Sequence, residues 1–176
     1  MLEQFIPVSS CIRIAMSNIE SLIKGSEKLT ESFGYWPTFH DAEVLELHFW
    51  RGRVDADKGI YNFPVLTFRI HVWELTNEVD SEGYLVLKHH TLTTLRFSDV
   101  DDFKMLGFNH QNAIMELSLT SNERANGPSP YFAVEVVAAF GMSTSFKCLR
   151  VEVVDAATCT DDGVVIPEMT MQLSAG

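Results

Sequence analysis

After Pro37 the sequence is a succession of short segments with a period of two residues, and no helical pattern separates them. In residues 63–75, for example, Phe68, Ile70 and Val72 alternate with Arg, His and Trp side chains. Such alternation places successive side chains on opposite faces of a β-strand. Parallel strands need long crossover connections, usually helices, and the pattern contains none. The sequence therefore predicts a mainly antiparallel sheet.

The predicted strands are separated by turn residues. The strongest turn signal is Asn-Gly-Pro at residues 126–128. Residues 84–97 can pair with residues 63–75 as a hairpin, and residues 98–108 are interpreted as a connection. The predicted strands span residues 42–50, 63–75, 84–97, 112–120, 131–140, 145–154 and, with a weaker pattern, 164–173.

Before the strands, residues 11–25 carry apolar side chains at spacings of three and four, which is typical of an amphipathic helix. Gly25 can end this helix, and a short helical turn is predicted for residues 27–32. The length of 176 residues fits one domain, residues 1–176. The predicted fold class is α+β, with an N-terminal helix packed on a mainly antiparallel, strongly bent sheet of six to eight strands in a β-rich body of residues 36–173.

The chain has a formal net charge of −11, and residues 74–102 and 151–176 each sum to −5. It lacks the basic stripe that binds phosphates, which excludes nucleic acid as a partner, and an anionic membrane would repel it. Acidity steers basic partners toward a protein, although it also simply keeps a protein soluble. The sequence shows neither a secretory signal nor a long apolar run, so we expect a cytoplasmic protein.

The chemistry-bearing residue types show no enzyme signature. The three cysteines are an odd number without CxxC spacing, which argues against a disulfide framework or a zinc site. The six histidines lack the HxH and HExxH spacings of metal sites, although His48 and His71 could meet across adjacent strands in a suitable register. Nucleophile and phosphate-binding motifs are also missing. We therefore predict no metal, no cofactor and no enzymatic activity.

The most distinctive local segment is WPTFHDAEV, just before the first predicted strand. In an extended strand, Asp41 and Glu43 would share one face, where two carboxylates could hold a cation or act as acid and base. Alternatively, Asp41 or His40 caps a turn while Trp36 and Phe39 fill the core. The second interpretation is favoured, because the segment leads from a turn into a strand.

A second candidate group consists of Asp99, Asp101 and Asp102, which lie within four residues. The glycine and the terminal glutamate of a calcium-binding loop do not follow at the required offsets. We therefore expect a solvated acidic loop or an electronegative contact for a basic partner.

Three segments carry a family resemblance: WPTFHDAEVLELHF at residues 36–49, TLRFSDVDDFKMLGFNHQNAI at 94–114, and YFAVEVVAAFG with SFKCLRVEVV at 131–154. Together they resemble the immunity protein 50 family, bacterial immunity proteins of polymorphic toxin systems. The resemblance covers about residues 36–154. Its opening element matches Trp36, Phe39, His40, Asp41, Glu43 and Val44, and its middle element matches Phe97, Val100, Phe108, Asn109 and Gln111.

The resemblance implies a protein that binds and neutralises a cognate toxin by stoichiometric inhibition, without a cofactor. Many bacterial toxin domains that cleave nucleic acid are basic, so the acidic segments 74–102 and 151–176 become candidate contact regions. Exposed aromatic residues such as Tyr61, Trp73 or Tyr84 could anchor the interface.

Two alternatives from other classes stay open. One is a small-molecule-binding, β-barrel-like protein, which a large apolar cavity would support. The other is a metal-assisted hydrolase built on His40, Asp41 and Glu43 with a further histidine, which convergence of these side chains would support.

Overall fold

A computed structural model describes residues 19–122 and 130–167 of the chain. Within these ranges it contains one α-helix and ten β-strands, and all pairings between the strands are antiparallel. The elements are α1 (Glu27–Phe33), β1 (Glu43–Trp50), β2 (Arg53–Asp55), β3 (Ile60–Asn62), β4 (Val65–Val79), β5 (Leu85–Ser98), β6 (Asp101–Leu106), β7 (Ile114–Asn122), β8 (Tyr131–Ala138), β9 (Ser143–Cys148) and β10 (Arg150–Thr158).

The first four-stranded sheet has the strand order β1-β4-β5-β10. Its centre is the long hairpin of β4 and β5, in which Phe68 lies opposite Leu95 and Leu66 lies opposite Phe97. These four side chains are fully buried, because alternate residues of a strand point to the same face. The hairpin predicted from the alternation of these two segments is confirmed.

The second four-stranded sheet has the order β6-β9-β8-β7. Phe146 of β9 contacts the rings of Phe68 and Phe97 in the first sheet, with ring centroids 6.2 and 4.9 Å apart. Both contacts have the edge-to-face geometry that aromatic rings prefer. The two open sheets therefore share one core, while β2 and β3 form a separate two-stranded sheet.

The helix α1 packs against the strand β10. It ends at Gly34, whose φ of 77° is the left-handed conformation common at helix C-termini. Leu29 and Phe33 are its buried residues. The ammonium group of Lys28 donates a hydrogen bond of 3.1 Å to the carbonyl oxygen of Val153, which fixes the helix to the edge of the first sheet.

Most of the helix predicted for residues 11–25 lies outside the described residues, and the described part differs from the prediction. Ile19–Leu22 form a 3₁₀ helix. The carbonyl oxygen of Lys24 then accepts a hydrogen bond of 2.8 Å from the backbone of Val153. The chain pairs with β10 at this point, and so it does not continue as an α-helix. The helical turn predicted for residues 27–32 is confirmed as α1.

The prediction of one bent sheet with six to eight strands is wrong in its details. The described residues form ten strands in three sheets. Residues 145–154 were expected to form one strand, but the chain leaves the ladder at Leu149, so β9 pairs in the second sheet and β10 in the first. Residues 98–108 contain β6, whose mostly exposed side chains lack the alternation that indicates a strand. The mainly antiparallel character is confirmed.

Shorter elements were also missed. The strands β2 and β3 have three residues each, which is too short for a periodicity to be recognised. For the weak strand predicted at residues 164–173, the described part contains one isolated bridge, between Cys159 and Val165, and residues 168–173 lie outside the described ranges. Among the described residues, no helix is long and apolar enough to cross a membrane.

Candidate functional site

The segment before β1 forms a turn and does not extend the strand. Phe39 and Asp41 have φ angles of 60° and 63°, a left-handed conformation that is uncommon for residues other than glycine. Phe39 is buried, and its ring packs edge-to-face on Trp36 with centroids 5.7 Å apart. The extended arrangement that would align Asp41 with Glu43 on one face is therefore not formed.

The polar side chains of this turn contact different partners. The Nδ1 group of His40 donates a hydrogen bond of 2.8 Å to the carbonyl oxygen of Met115, and its Nε2 lies 3.7 Å from Asp41 Oδ2. Glu43 instead accepts a hydrogen bond of 3.4 Å from the backbone of Asn112. In the part of the chain that the structure describes, no group of three or more histidines, cysteines or carboxylates is arranged to hold a metal ion.

The same turn connects the two large sheets. The backbone N–H of Asp41 donates to the carbonyl oxygen of Ile114 at 2.9 Å, and the N–H of Ile114 donates to the carbonyl oxygen of Ala42 at 2.8 Å. We call this pairing, formed by residues 39–44 and 109–114, the seam. Two of the segments that carry the family resemblance therefore meet in space.

Asn112 is the central polar residue of the seam, and the sequence patterns did not single it out. Its buried Nδ2 group donates to the carbonyl oxygens of Val44 at 3.3 Å and Asn109 at 2.7 Å, while its Oδ1 accepts from the backbone of Asn109 at 2.9 Å. A Cβ added to Gly141 would lie 2.7 Å from this Oδ1 atom. Only glycine at position 141 allows so close an approach. A single buried asparagine adds no periodic pattern to a sequence, which is why sequence reasoning missed Asn112.

The three aspartates predicted as a partner contact lie around the start of β6. Asp99 accepts a hydrogen bond of 2.7 Å from Arg150, and Asp102 accepts one of 2.6 Å from Lys147. The hydrogen bond and charge of Lys147 lower the pKa of the Asp102 carboxyl. Asp101 accepts from the backbone N–H of Asp102. Two of the three carboxylates are therefore balanced by cations of the protein itself.

A histidine pair lies in the first sheet, with His71 buried and His90 half-buried. The Nε2 atom of His71 is 3.0 Å from the Nδ1 atom of His90. Burial, followed by the neighbouring His90, lowers the pKa of His71. The strand register sets Glu43 opposite His71 and Thr67 opposite His48. The contact between His48 and His71, which depended on the register, is therefore not formed.

A groove of about 490 Å³ lies beside this histidine pair. Its walls include the apolar side chains of Trp73 and Leu85 and the carboxylates of Asp80 and Asp161. The groove is open and mixed in polarity, whereas the small-molecule alternative expects a large apolar cavity. Tyr84 lies on the same hairpin and is 68% exposed.

The described cysteines are core residues. Cys148 and Cys159 are both free and buried. Burial raises the pKa of the Cys148 thiol to about 12, so it stays protonated at neutral pH and is not an activated nucleophile. Cys148 therefore acts as a small core residue.

The chain matches a known protein family. The model of a protein family described as Immunity protein 50 matches residues 25–158, which is most of the chain and includes α1, both large sheets and the whole seam. No curated protein and no solved structure matches the chain.

Proposed function

The chain belongs to the Immunity protein 50 family, and we propose on this basis that it binds a cognate bacterial toxin and neutralises it by stoichiometric inhibition. The family match over residues 25–158 is the observation that carries the proposal. In this role the protein acts in the cytoplasm, protects the cell that makes it and catalyses no reaction.

We propose a basic toxin domain as the partner. A surface with net charge −11 in the protein as a whole attracts a cationic domain over several ångströms and discriminates against acidic proteins. Toxins that act on nucleic acid need positive charge to bind phosphates, which makes this pairing of charges a natural one for an inhibitor.

Two groups of residues have proposed roles. Trp36, Phe39, His40, Asp41 and Glu43 shape the turn that holds the seam, so we assign them a supporting role in the fold. Asp99, Asp101 and Asp102 remain candidate contact residues. Their charge is partly balanced by Lys147 and Arg150, and so we expect them to add to the association rate without dominating it.

The two alternatives gain little support. Glu43 bonds to Asn112 while His40 bonds to Met115, so the side chains proposed for a metal-assisted hydrolase do not converge. The two large sheets are open, and the groove beside Trp73 carries two carboxylates. Neither observation favours hydrolysis or small-molecule binding over inhibition of a toxin.

The proposal is tested with the product of the gene next to the one that encodes this chain. Expression of that product alone should stop bacterial growth, and co-expression with this chain should restore it. The purified proteins should form a complex with a 1:1 ratio, measured by light scattering after size-exclusion chromatography. An unrelated acidic protein of similar size is the control. Toxicity without rescue and without complex formation would overturn the proposal.

A further inference from the structure

The hairpin of β4 and β5 extends beyond both neighbouring strands of the first sheet. The last pairing of β4 with β1 is at His71, and the last ladder pairing of β5 with β10 is at Thr91. Residues 73–89 therefore form a two-stranded ribbon, which we call the distal arm. A two-stranded ribbon is only marginally stable by itself.

The distal arm exposes apolar side chains that the core does not use. Leu75, Val79, Tyr84 and Leu85 are between 50% and 68% exposed. Single exposed apolar residues are common on protein surfaces. Four of them are concentrated on one short ribbon, and Leu85 also lines the groove that contains Trp73. This concentration of exposed apolar side chains makes the distal arm a candidate protein-binding surface.

The charge of the region restricts what can cover it. The distal arm and residues 160–163 beside it carry one lysine, Lys88, and six carboxylates: Glu74, Glu78, Asp80, Glu82, Asp161 and Asp162. Glu74 is held within the protein by a hydrogen bond from Tyr35 and a contact with His89. Lys88 is already paired with Glu78 at 2.5 Å. A second copy of the chain would bring the same negative charge against this surface and would be repelled, and nucleic acid or an anionic membrane would be repelled for the same reason. A protein with a cationic surface is therefore the partner that this negative charge favours.

The backbone of the arm also restricts the mode of binding. The pairing of β4 with β5 changes register between Val72 and Glu74 and again between Leu75 and Val79. Such irregularities twist a strand edge and make it a poor template for adding another strand. A partner is therefore contacted through side chains and not through an added strand.

From these observations we infer that the distal arm, with the turn of residues 160–163 beside it, is the main docking surface for a basic toxin domain. The inference rests on the proposed function. The carboxylates speed association, while Tyr84 and Leu85 are the apolar anchors that slow dissociation. This surface has a larger unbalanced charge than the region of Asp99, Asp101 and Asp102.

The first experiment changes charge. Glu82→Lys with Asp161→Lys removes two carboxylates of the docking surface that have no ion-pair partner among the described residues. Glu116→Lys with Glu135→Lys makes the same change in net charge on exposed positions of β7 and β8. At low ionic strength, the first pair should slow association with the neighbouring gene product about tenfold, and the control pair should slow it less than about threefold.

The second experiment changes the anchors and maps the contact. Tyr84→Ser with Leu85→Ser should raise the dissociation rate about tenfold or more. Both residues are exposed, so the unfolding midpoint should change little. For the unsubstituted protein, complex formation should slow amide hydrogen exchange in residues 73–89 more than in β7 and β8.

The outcomes separate the two levels of the proposal. Suppose that the unsubstituted protein binds the neighbouring gene product, that neither arm variant changes the binding rates more than the control pair does, and that residues 73–89 gain no protection from hydrogen exchange. The distal arm is then not the docking surface, while the proposed function stands. If the unsubstituted protein does not bind at all, the proposed function fails and the inference fails with it. Self-association of the unsubstituted protein that the serine variant abolishes would assign the arm to a second copy and overturn the choice of partner.

Discussion

The side-chain amide of Asn112 donates a hydrogen bond of 3.3 Å to the backbone carbonyl oxygen of Val44 and thereby joins the loop before β7 to the strand β1 of the other sheet. Asn112 is 4% exposed. Water therefore cannot easily replace this bond if the side chain is removed, and the seam would lose a buried hydrogen bond that its backbone pairings do not supply.

Replacement of Asn112 by alanine should lower the free energy of unfolding by about 2–3 kcal/mol, because the buried backbone carbonyl of Val44 and partly buried backbone groups of Asn109 lose their partners. Chemical denaturation at neutral pH measures the change. The matched control is Asn122→Ala near the end of β7, where the amide bonds locally to Thr120 and the loss should stay below about 0.5 kcal/mol. Equal losses at the two positions would contradict the role of the seam.

Asp41 allows a test of the turn before β1. Because its φ is 63° and its side chain is 55% exposed, Asp41→Gly should keep or raise the stability by up to about 1 kcal/mol. Asp41→Val should lower the stability by about 1–2 kcal/mol, because a β-branched side chain clashes in this conformation. The midpoints of thermal unfolding show which of the two variants is more stable.

The control for the Asp41 variants is Glu116, an exposed residue of the strand β7. At position 116 the order of stability should be reversed: the valine variant should be more stable than the glycine variant, because strands favour β-branched residues. If glycine and valine ranked in the same order at both positions, the left-handed conformation of Asp41 would not be the cause.

Buried His71, with its half-buried neighbour His90, should make stability depend on pH. Burial and the neighbouring His90 lower the pKa of His71 from its ordinary value of 6.5, while Glu43, Asp161 and Asp162 oppose this shift. The unfolded chain then binds the proton more readily than the folded protein, so stability is full above pH 6.5 and falls as the pH drops toward the folded pKa.

The measurement is the free energy of unfolding at pH 7.5 and at pH 5.5 for the unsubstituted protein and for His71→Gln. The variant should lose less stability between these two values, since glutamine does not titrate. His110→Gln, in an exposed loop, should leave the difference between the two pH values unchanged. An identical acid dependence in all three proteins would exclude His71 as the cause.

The aspartates near β6 test the contact predicted from the sequence. Asp99→Asn, Asp101→Asn and Asp102→Asn together should slow association with the neighbouring gene product several-fold at low salt and weaken its salt dependence. Asparagine is chosen because Asp99 and Asp102 have positive φ angles, which asparagine tolerates. Stopped-flow binding at two ionic strengths measures the rates.

The matched control for this triple variant neutralises three exposed carboxylates elsewhere, with Asp57→Asn, Glu116→Gln and Glu135→Gln. An association rate that falls equally in both triples would show a general effect of net charge. An unchanged rate in the aspartate triple would remove Asp99, Asp101 and Asp102 from the contact.

The sequence predicted long strands such as β4 because Leu66, Phe68 and Ile70 are buried and alternate with half-buried residues in the first part of the strand. It did not predict the division into two large sheets, because one apolar run changes partner strands at Leu149 and gives no sign of this in its pattern. It also identified the aromatic turn at Trp36 and Phe39 but missed Asn112, since hydrogen bonds between residues about 70 apart leave no local pattern.

The pairing of β10 with β5 has a consequence for the synthesis of this protein. Residues 99–149 must be translated between these two strands, so a nascent chain carries β5 with an open edge and α1 without the strand on which it packs. Translation proceeds at about 5–20 residues per second, and the first sheet is complete only after residue 158 has left the ribosome. If the protein is an inhibitor, an unfinished copy gives no protection, and a cell depends on a stock of completed molecules made before the toxin arrives.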